Sequence, residues 1–159
     1  MDLQVRKKTL RLFSNGVYIM TSRNGNDYGC ATVTWVSQAS FHPPLVMAAI
    51  RRDSNVFKCL AGSGVAAIHI VASNQTDLAQ QFFTPTRIDD GCINGEPFDV
   101  GAISAPILQN ATAYVECQVR QILEGLGDHT IVIFEVINAV YRQPVCPLTI
   151  ADSPWEYGG

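Results

Sequence analysis

The chain has 159 residues, 47% of them hydrophobic and only 16% charged, with a formal net charge of −3 from 14 acidic and 11 basic side chains. That length suits one domain, 1–159, and about 25% charged residues would be ordinary, so a disordered tail or solvated linker is excluded. The weak negative charge supplies no field to gather a phosphate backbone, which argues against nucleic acid as a partner.

Leu3 to Ser14 carries apolar residues at Leu3, Leu10, Leu12 and Phe13 among bases, which predicts a short amphipathic helix closed by Asn15-Gly16. Val17 to Ser22 is β-branched and aromatic, and Arg23 to Asp27 is turn chemistry. Gly29 to Ser40 and Pro44 to Ile50 complete an expected meander of antiparallel strands. Asp53-Ser54-Asn55 predicts the cap of a helix reaching Ala61, ended by Gly62-Ser63-Gly64. Val65 to Ala72 is so apolar that a strand buried on both faces is expected. A short helix follows over Thr76 to Phe83, with Ser73 or Asn74 as its cap. Residues 84–105 have no clear period, and a connection that long in a compact domain tends to be functional. Ala111 to Gln121 and Thr130 to Tyr141 are two long strands joined by a glycine-rich turn, and Trp155 and Tyr157 stand out in the closing segment.

No repeat and no linker is visible. Six or so antiparallel strands with a few short helices give a mainly β (α+β) class, a β-barrel with helical decoration. No GxGxxG follows a strand, which disfavours a dinucleotide-binding α/β fold. No apolar run approaches the roughly 20 residues of a spanning helix, and MDLQVRKKTL lacks the apolar stretch of a secretory signal. Cysteines at 30, 59, 92, 117 and 146 are odd in number, widely spaced and form no CxxC, so they read as small hydrophobes of a reducing cytoplasm. The sparing use of charge also suggests a partially covered surface, with a second copy as the simplest cover.

Catalytic constellations are thin. His42, His69 and His129 do not share a metal-ligand spacing, and neither GxSxG nor a Walker loop occurs. No metal and no acid–base residue is expected, so a cofactor would supply any chemistry. His69 lies in an apolar strand and reads as a satisfied core residue. Three segments remain. Thr32 to Ser40 brings hydroxyl and amide groups at 32, 34, 37, 38 and 40 into one strand and its exit. They suit either a half-solvated edge strand or a wall for the polar edge of a flat heterocycle. If the strand is regular, 32, 34, 38 and 40 share one face, with Trp35 and Ser37 opposite. Arg51-Arg52-Asp53-Ser54-Asn55 suits a phosphate or simply an N-cap between exposed arginines. Gly125 to His129 is a turn that could also hold an imidazole at a barrel rim.

Taken in order, these segments resemble the flavin reductase family of small FMN-binding split-barrel proteins. The resemblance rests on a polar strand leading to Ser40-Phe41-His42-Pro43-Pro44 and on the loop Arg52-Asp53-Ser54-Asn55. It continues through Ser104-Ala105-Pro106-Ile107-Leu108, Tyr114-Val115-Glu116-Cys117 and Gly127-Asp128-His129. The string Trp35-Val36-Ser37-Gln38-Ala39-Ser40 is also similar to the reductase-like C-terminal domains of flavodiiron proteins. The resemblance implies a homodimeric split barrel with FMN at the subunit interface, FAD being possible, and NADH or NADPH as hydride donor. It implies that Thr32, Val33, Thr34, Trp35, Val36 and Ser37 line the ribityl chain and isoalloxazine. Ser54 and Asn55, with Arg52 and Asp53 of the same loop, would hold the phosphate, and His129 would meet the nicotinamide. Thr34-Trp35 stands where the family usually has Asn-Ser. An electron acceptor such as a monooxygenase is implied as partner. The alternatives are a non-enzymatic FMN electron carrier serving a protein partner, and a structural or heme-binding relative of the same barrel without flavin.

Overall fold

The computed structural model describes residues 1–159. Its elements, in chain order, begin with α1 (Leu3–Leu10), β1 (Tyr18–Asn24), β2 (Asp27–Val33), β3 (Val36–Ser40) and β4 (Leu45–Arg51). There follow α2 (Asn55–Ser63), β5 (Val65–Ile70), α3 (Thr76–Gln81), β6 (Ile88–Asp89), β7 (Cys92–Ile93) and β8 (Glu96–Val100). The chain ends with β9 (Pro106–Leu108), β10 (Ala113–Leu123) and β11 (His129–Tyr141).

Seven strands form one antiparallel sheet in the order β2-β1-β5-β10-β11-β4-β3. The expected meander is therefore cut in the middle. The hairpins β1–β2 and β3–β4 stand at opposite edges of the sheet, yet only Thr34 and Trp35 separate β2 from β3. Three residue steps reach no more than about 11 Å, so the sheet must curl until its two edges nearly meet. β2 and β3 do not pair, and the result is a barrel split along that seam.

The core lies on both sides of this curled sheet. Met20, Ile50, Ile68, Cys117, Val132 and Phe134 fill the barrel, and α2 adds Val56, Phe57 and Leu60. Ile19, the neighbour of Met20, faces a second cluster with Val71, Phe82, Leu108 and Leu148. Period-two alternation with both faces buried explains why β5 reads as almost continuously apolar. Gly29 in β2 lets strand and helix touch, because a Cβ there would stand 2.5 Å from the Asn55 carbonyl oxygen and the Val56 Cα.

Three expectations change. Residues 84–105, which show no period in sequence, hold β6, β7 and β8, and with β9 they make a second, four-stranded sheet. Strands of two residues are too short to display alternation. The first helix ends at Leu10 and buries no residue, so its apolar side chains do not point into the core. The N-cap of α3 is Gln75, whose backbone takes that position without a side-chain cap, rather than Ser73 or Asn74. No helix is long and apolar enough to cross a membrane.

Candidate functional site

A groove follows the seam. Its floor is the end of β2 and the two linking residues, Ala31 to Trp35, and its other wall is the end of β4, Ala49 to Arg51. The narrow centre, about 90 Å³, also takes in Ser54, His129 and Tyr157. One end widens to about 440 Å³ between the start of α2 (Asp53, Ser54, Asn55) and the segment Phe82 to Thr86. A third part, about 550 Å³, adjoins that end across Phe82 and Phe83 and is walled further by Ile150, Trp155 and Tyr157. Ala31 and Arg51 border all three parts, which makes them one continuous surface.

Local chemistry explains how each group is held. Ser54 caps α2: its Oγ accepts from the Phe57 N–H at 3.3 Å and donates to the Arg51 carbonyl at 2.7 Å. With the Phe57 N–H taken by Ser54, the N–H groups of Asn55 and Val56 have no acceptor within the helix and are available to an anion. Arg51 donates to Asp53 through Nε (3.1 Å) and Nη2 (2.8 Å). This hydrogen bonding, with the attraction of the opposite charges, pulls the Asp53 carboxyl below its ordinary range and raises the Arg51 guanidinium. The Thr32 hydroxyl donates to the Ala79 carbonyl at 2.6 Å, so it is committed to α3. The Thr34 hydroxyl is different. Thr34 is 8% exposed, and its Oγ1 is buried without a hydrogen-bond partner on the groove wall. Such an orphaned group is costly unless a ligand supplies the missing bond.

His129 is not in the turn but begins β11. Nδ1 lies 2.8 Å from Asp128 Oδ1, and this contact pulls the Asp128 carboxyl down. With Nδ1–H donating to Asp128, the neutral ring keeps Nε2 as an acceptor. The ring packs on Trp35 at 4.5 Å between centroids, and Tyr157 also packs on Trp35, at 5.7 Å.

Thr32 to Trp35, Asp53, Ser54, Asn55 and His129 thus lie along one groove. The regular alternation expected over 32–40 is broken at Thr34-Trp35, where the chain passes from one sheet edge to the other. Val36 and Ser37 line instead a second cleft of about 600 Å³ beside Leu10, Phe13 and Gly158, with Trp35 between the two. Arg52 is exposed and borders neither cleft, whereas Arg51 borders the groove throughout. Sequence reasoning gave no role to Phe83, Trp155 or Tyr157. Their only signal was aromatic residues in an otherwise polar, glycine-rich context. His69 is a structural residue: Nδ1 sits 2.9 Å from the Ile19 carbonyl, and Nε2 accepts from the Leu108 N–H at 3.1 Å. Glu116 likewise accepts from Asn138 (2.8 Å) and the Ile103 N–H (3.1 Å), away from the groove.

The family model described as the flavin reductase like domain matches residues 10–153, nearly the whole chain. The chain belongs to the flavin reductase-like family. Within that family it is 33% identical over 135 residues to a flavin reductase (NADH) of Kitasatospora aureofaciens, covering 82% of this chain and 68% of the relative. It is 30% identical over 134 residues to diflavin flavoprotein A 1 of Synechocystis sp., covering 83% of this chain. The chain spans only 23% of that longer relative. Among solved structures, the styrene monooxygenase flavin reductase of Pseudomonas putida S12 superposes with a TM-score of 0.75 at 25% identity, over 91% of this chain and 90% of that one. The curled antiparallel sheet with its open seam is thus the flavin reductase-like split barrel.

Proposed function

We propose that this chain is a flavin reductase that binds FMN in the groove and delivers to it the hydride of NADH. The observation that carries the reading is the buried, unpartnered Thr34 hydroxyl in a groove bordered by a helix N-terminus and by the aromatic rings of Phe83, Trp155 and Tyr157. These groups fit a flavin. A flavin supplies hydride acceptance once a nicotinamide is stacked on it at near-attack distance.

The chain's own residues bind, orient and exclude water. Ser54, Asn55 and the first N–H groups of α2 hold the phosphate, with Arg51 better placed than Arg52 to add a cation. Asp53 keeps Arg51 oriented rather than meeting an anion itself. The main chain of Thr32 to Trp35 and the Thr34 hydroxyl serve the ribityl chain and ring edge. Donors there favour the reduced, more negative ring over the oxidised one. His129 Nε2 accepts from the nicotinamide carboxamide. FAD would use the same contacts through its FMN half.

NADH is favoured as donor by the activity named for the Kitasatospora relative. An oxygenase-type electron acceptor is favoured by the styrene monooxygenase reductase. We place the protein in the cytoplasm because its cysteines are all free thiols, three of them buried. A homodimer is favoured by the N-terminal segment: α1 buries nothing, and Leu12 and Phe13 just beyond it are 83% and 69% exposed, Phe13 beside the second cleft.

The test is anaerobic absorbance of FMN-loaded protein on adding NADH or NADPH in separate cuvettes. Prompt bleaching of the flavin band by NADH is expected. A band that survives both donors and bleaches only with dithionite would overturn the reductase reading in favour of an electron carrier. Trp35, packed between His129 and Tyr157, is the feature that would then explain the closed nicotinamide face.

A further inference from the structure

Residues Pro154 to Gly159 lie outside the family match, which ends at residue 153, yet they furnish one wall of the groove. Trp155 packs edge-on against Phe83 with ring centroids 4.9 Å apart, and Tyr157 packs on Trp35. The base of the segment is fixed. The Leu148 N–H donates to the Val71 carbonyl and the Ile150 N–H to the Asn15 carbonyl, both at 2.8–2.9 Å. The Ser153 hydroxyl then accepts from the Trp155 N–H at 3.2 Å and turns the chain across the groove.

The far end is fastened to the first helix. Arg11 donates through Nη1 to Glu156 Oε2 at 2.7 Å and through Nε to the Gly158 carbonyl at 2.9 Å. Gly158 and Gly159 hold φ values of 90° and 92°, which side-chain-bearing residues rarely adopt. A Cβ on Gly159 would also stand 2.8 Å from the Lys7 carbonyl oxygen and 3.0 Å from its Cα. The two glycines therefore permit the close seat on α1, and the ion pair alone, exposed on the Glu156 side, would hold little.

We infer that Pro154–Gly159 is a strap that covers the bound flavin, with Trp155 and Tyr157 as ring-contacting residues and Arg11 as the remote residue that positions them. The inference rests on the flavin reading above and deepens it. Trp155 and Tyr157 wall the part of the groove that holds Thr32 and Thr34 and lacks Ser54 and Asn55, so the strap acts on the tricyclic ring, although Tyr157 also reaches the narrow part beside Ser54. Flavin leaves when the strap lifts, and the weak fastening by Arg11 makes lifting frequent enough for exchange.

The test measures dissociation of FMN and of riboflavin from the full chain by stopped-flow fluorescence. Arg11→Met and Gly159→Val, which lift the strap without touching its rings, should each speed release of both flavins about tenfold. Tyr157→Leu should brighten bound FMN, because an aromatic ring in contact quenches flavin emission by electron transfer. Ser54→Ala should speed FMN release but leave riboflavin unchanged, which separates the phosphate contact from the ring contact. Unchanged release and brightness in the strap variants, with FMN still bound, would overturn the strap alone. Wild-type protein that retains neither flavin would overturn the flavin reading and the strap with it. Circular dichroism of Gly159→Val guards against misfolding, and Arg11→Lys, which keeps a cation and a donor at position 11, should release flavin more slowly than Arg11→Met.

Discussion

The two histidines that matter differ in what surrounds the ring. His69 is 1% exposed and bonded at both nitrogens to main chain, which requires a neutral imidazole. Burial lowers its pKa from 6.5 to about 4. The unfolded chain therefore binds the proton first as pH falls. The stability held by neutral His69 is complete above pH 6.5 and is lost progressively down to about pH 4. The loss is on the order of 3 kcal/mol. Urea midpoints at pH 7.5 and pH 4.5 should show it, and the His69 ring signals should not titrate near 6.5. His129 leaves Nε2 without a hydrogen bond and has a groove in front of it. In His129→Ala, kcat/KM for NADH should fall about tenfold, the worth of one lost hydrogen bond. FMN affinity measured by fluorescence titration should hardly move, and equal loss of both would remove the nicotinamide role.

At the level of elements, α2 serves stability and binding through one hydroxyl. Ser54→Ala removes the cap and should cost about 1 kcal/mol, or roughly 2–4 °C in Tm for a chain of this size. Ser54→Asp keeps a capping oxygen and should restore the Tm, but its carboxylate repels a phosphate, so FMN binding should stay weak. Thermal melts and FMN titrations on the two variants separate the roles. The same residue shows what sequence could reveal. Asp53-Ser54-Asn55 followed by apolar residues signals a helix start locally, and the structure puts Ser54 at the N-cap. The long strands β10 and β11 were equally legible from their length and β-branched content. The four-stranded sheet was not, because β6 and β7 have two residues each and owe their shape to partners rather than to pattern. Arg51 and Arg52 could not be told apart for a similar reason: which guanidinium borders the groove depends on where β4 stops. Trp155 and Tyr157 reach the groove through contacts more than 70 residues away in sequence, at Phe83 and Trp35, which no local window contains.

Over the whole molecule, the apolar surface beside α1 calls for a cover. Leu12→Glu with Phe13→Glu should shift the protein from dimer to monomer in sedimentation equilibrium, with the circular dichroism spectrum retained. A monomer already present in the wild type would remove the second copy from the account. The strand order has its own bearing on how such a molecule is made. β4 has only two neighbours, β3 and β11, and β11 comprises His129–Tyr141. During synthesis, the hairpin of β3 and β4 leaves the ribosome long before the strand that must hold it. Until Glu135 has emerged, the β4 edge stays unpaired and the groove lacks His129. The groove is therefore among the last features to form, and a nascent chain stalled before β11 would expose apolar β4 to other chains.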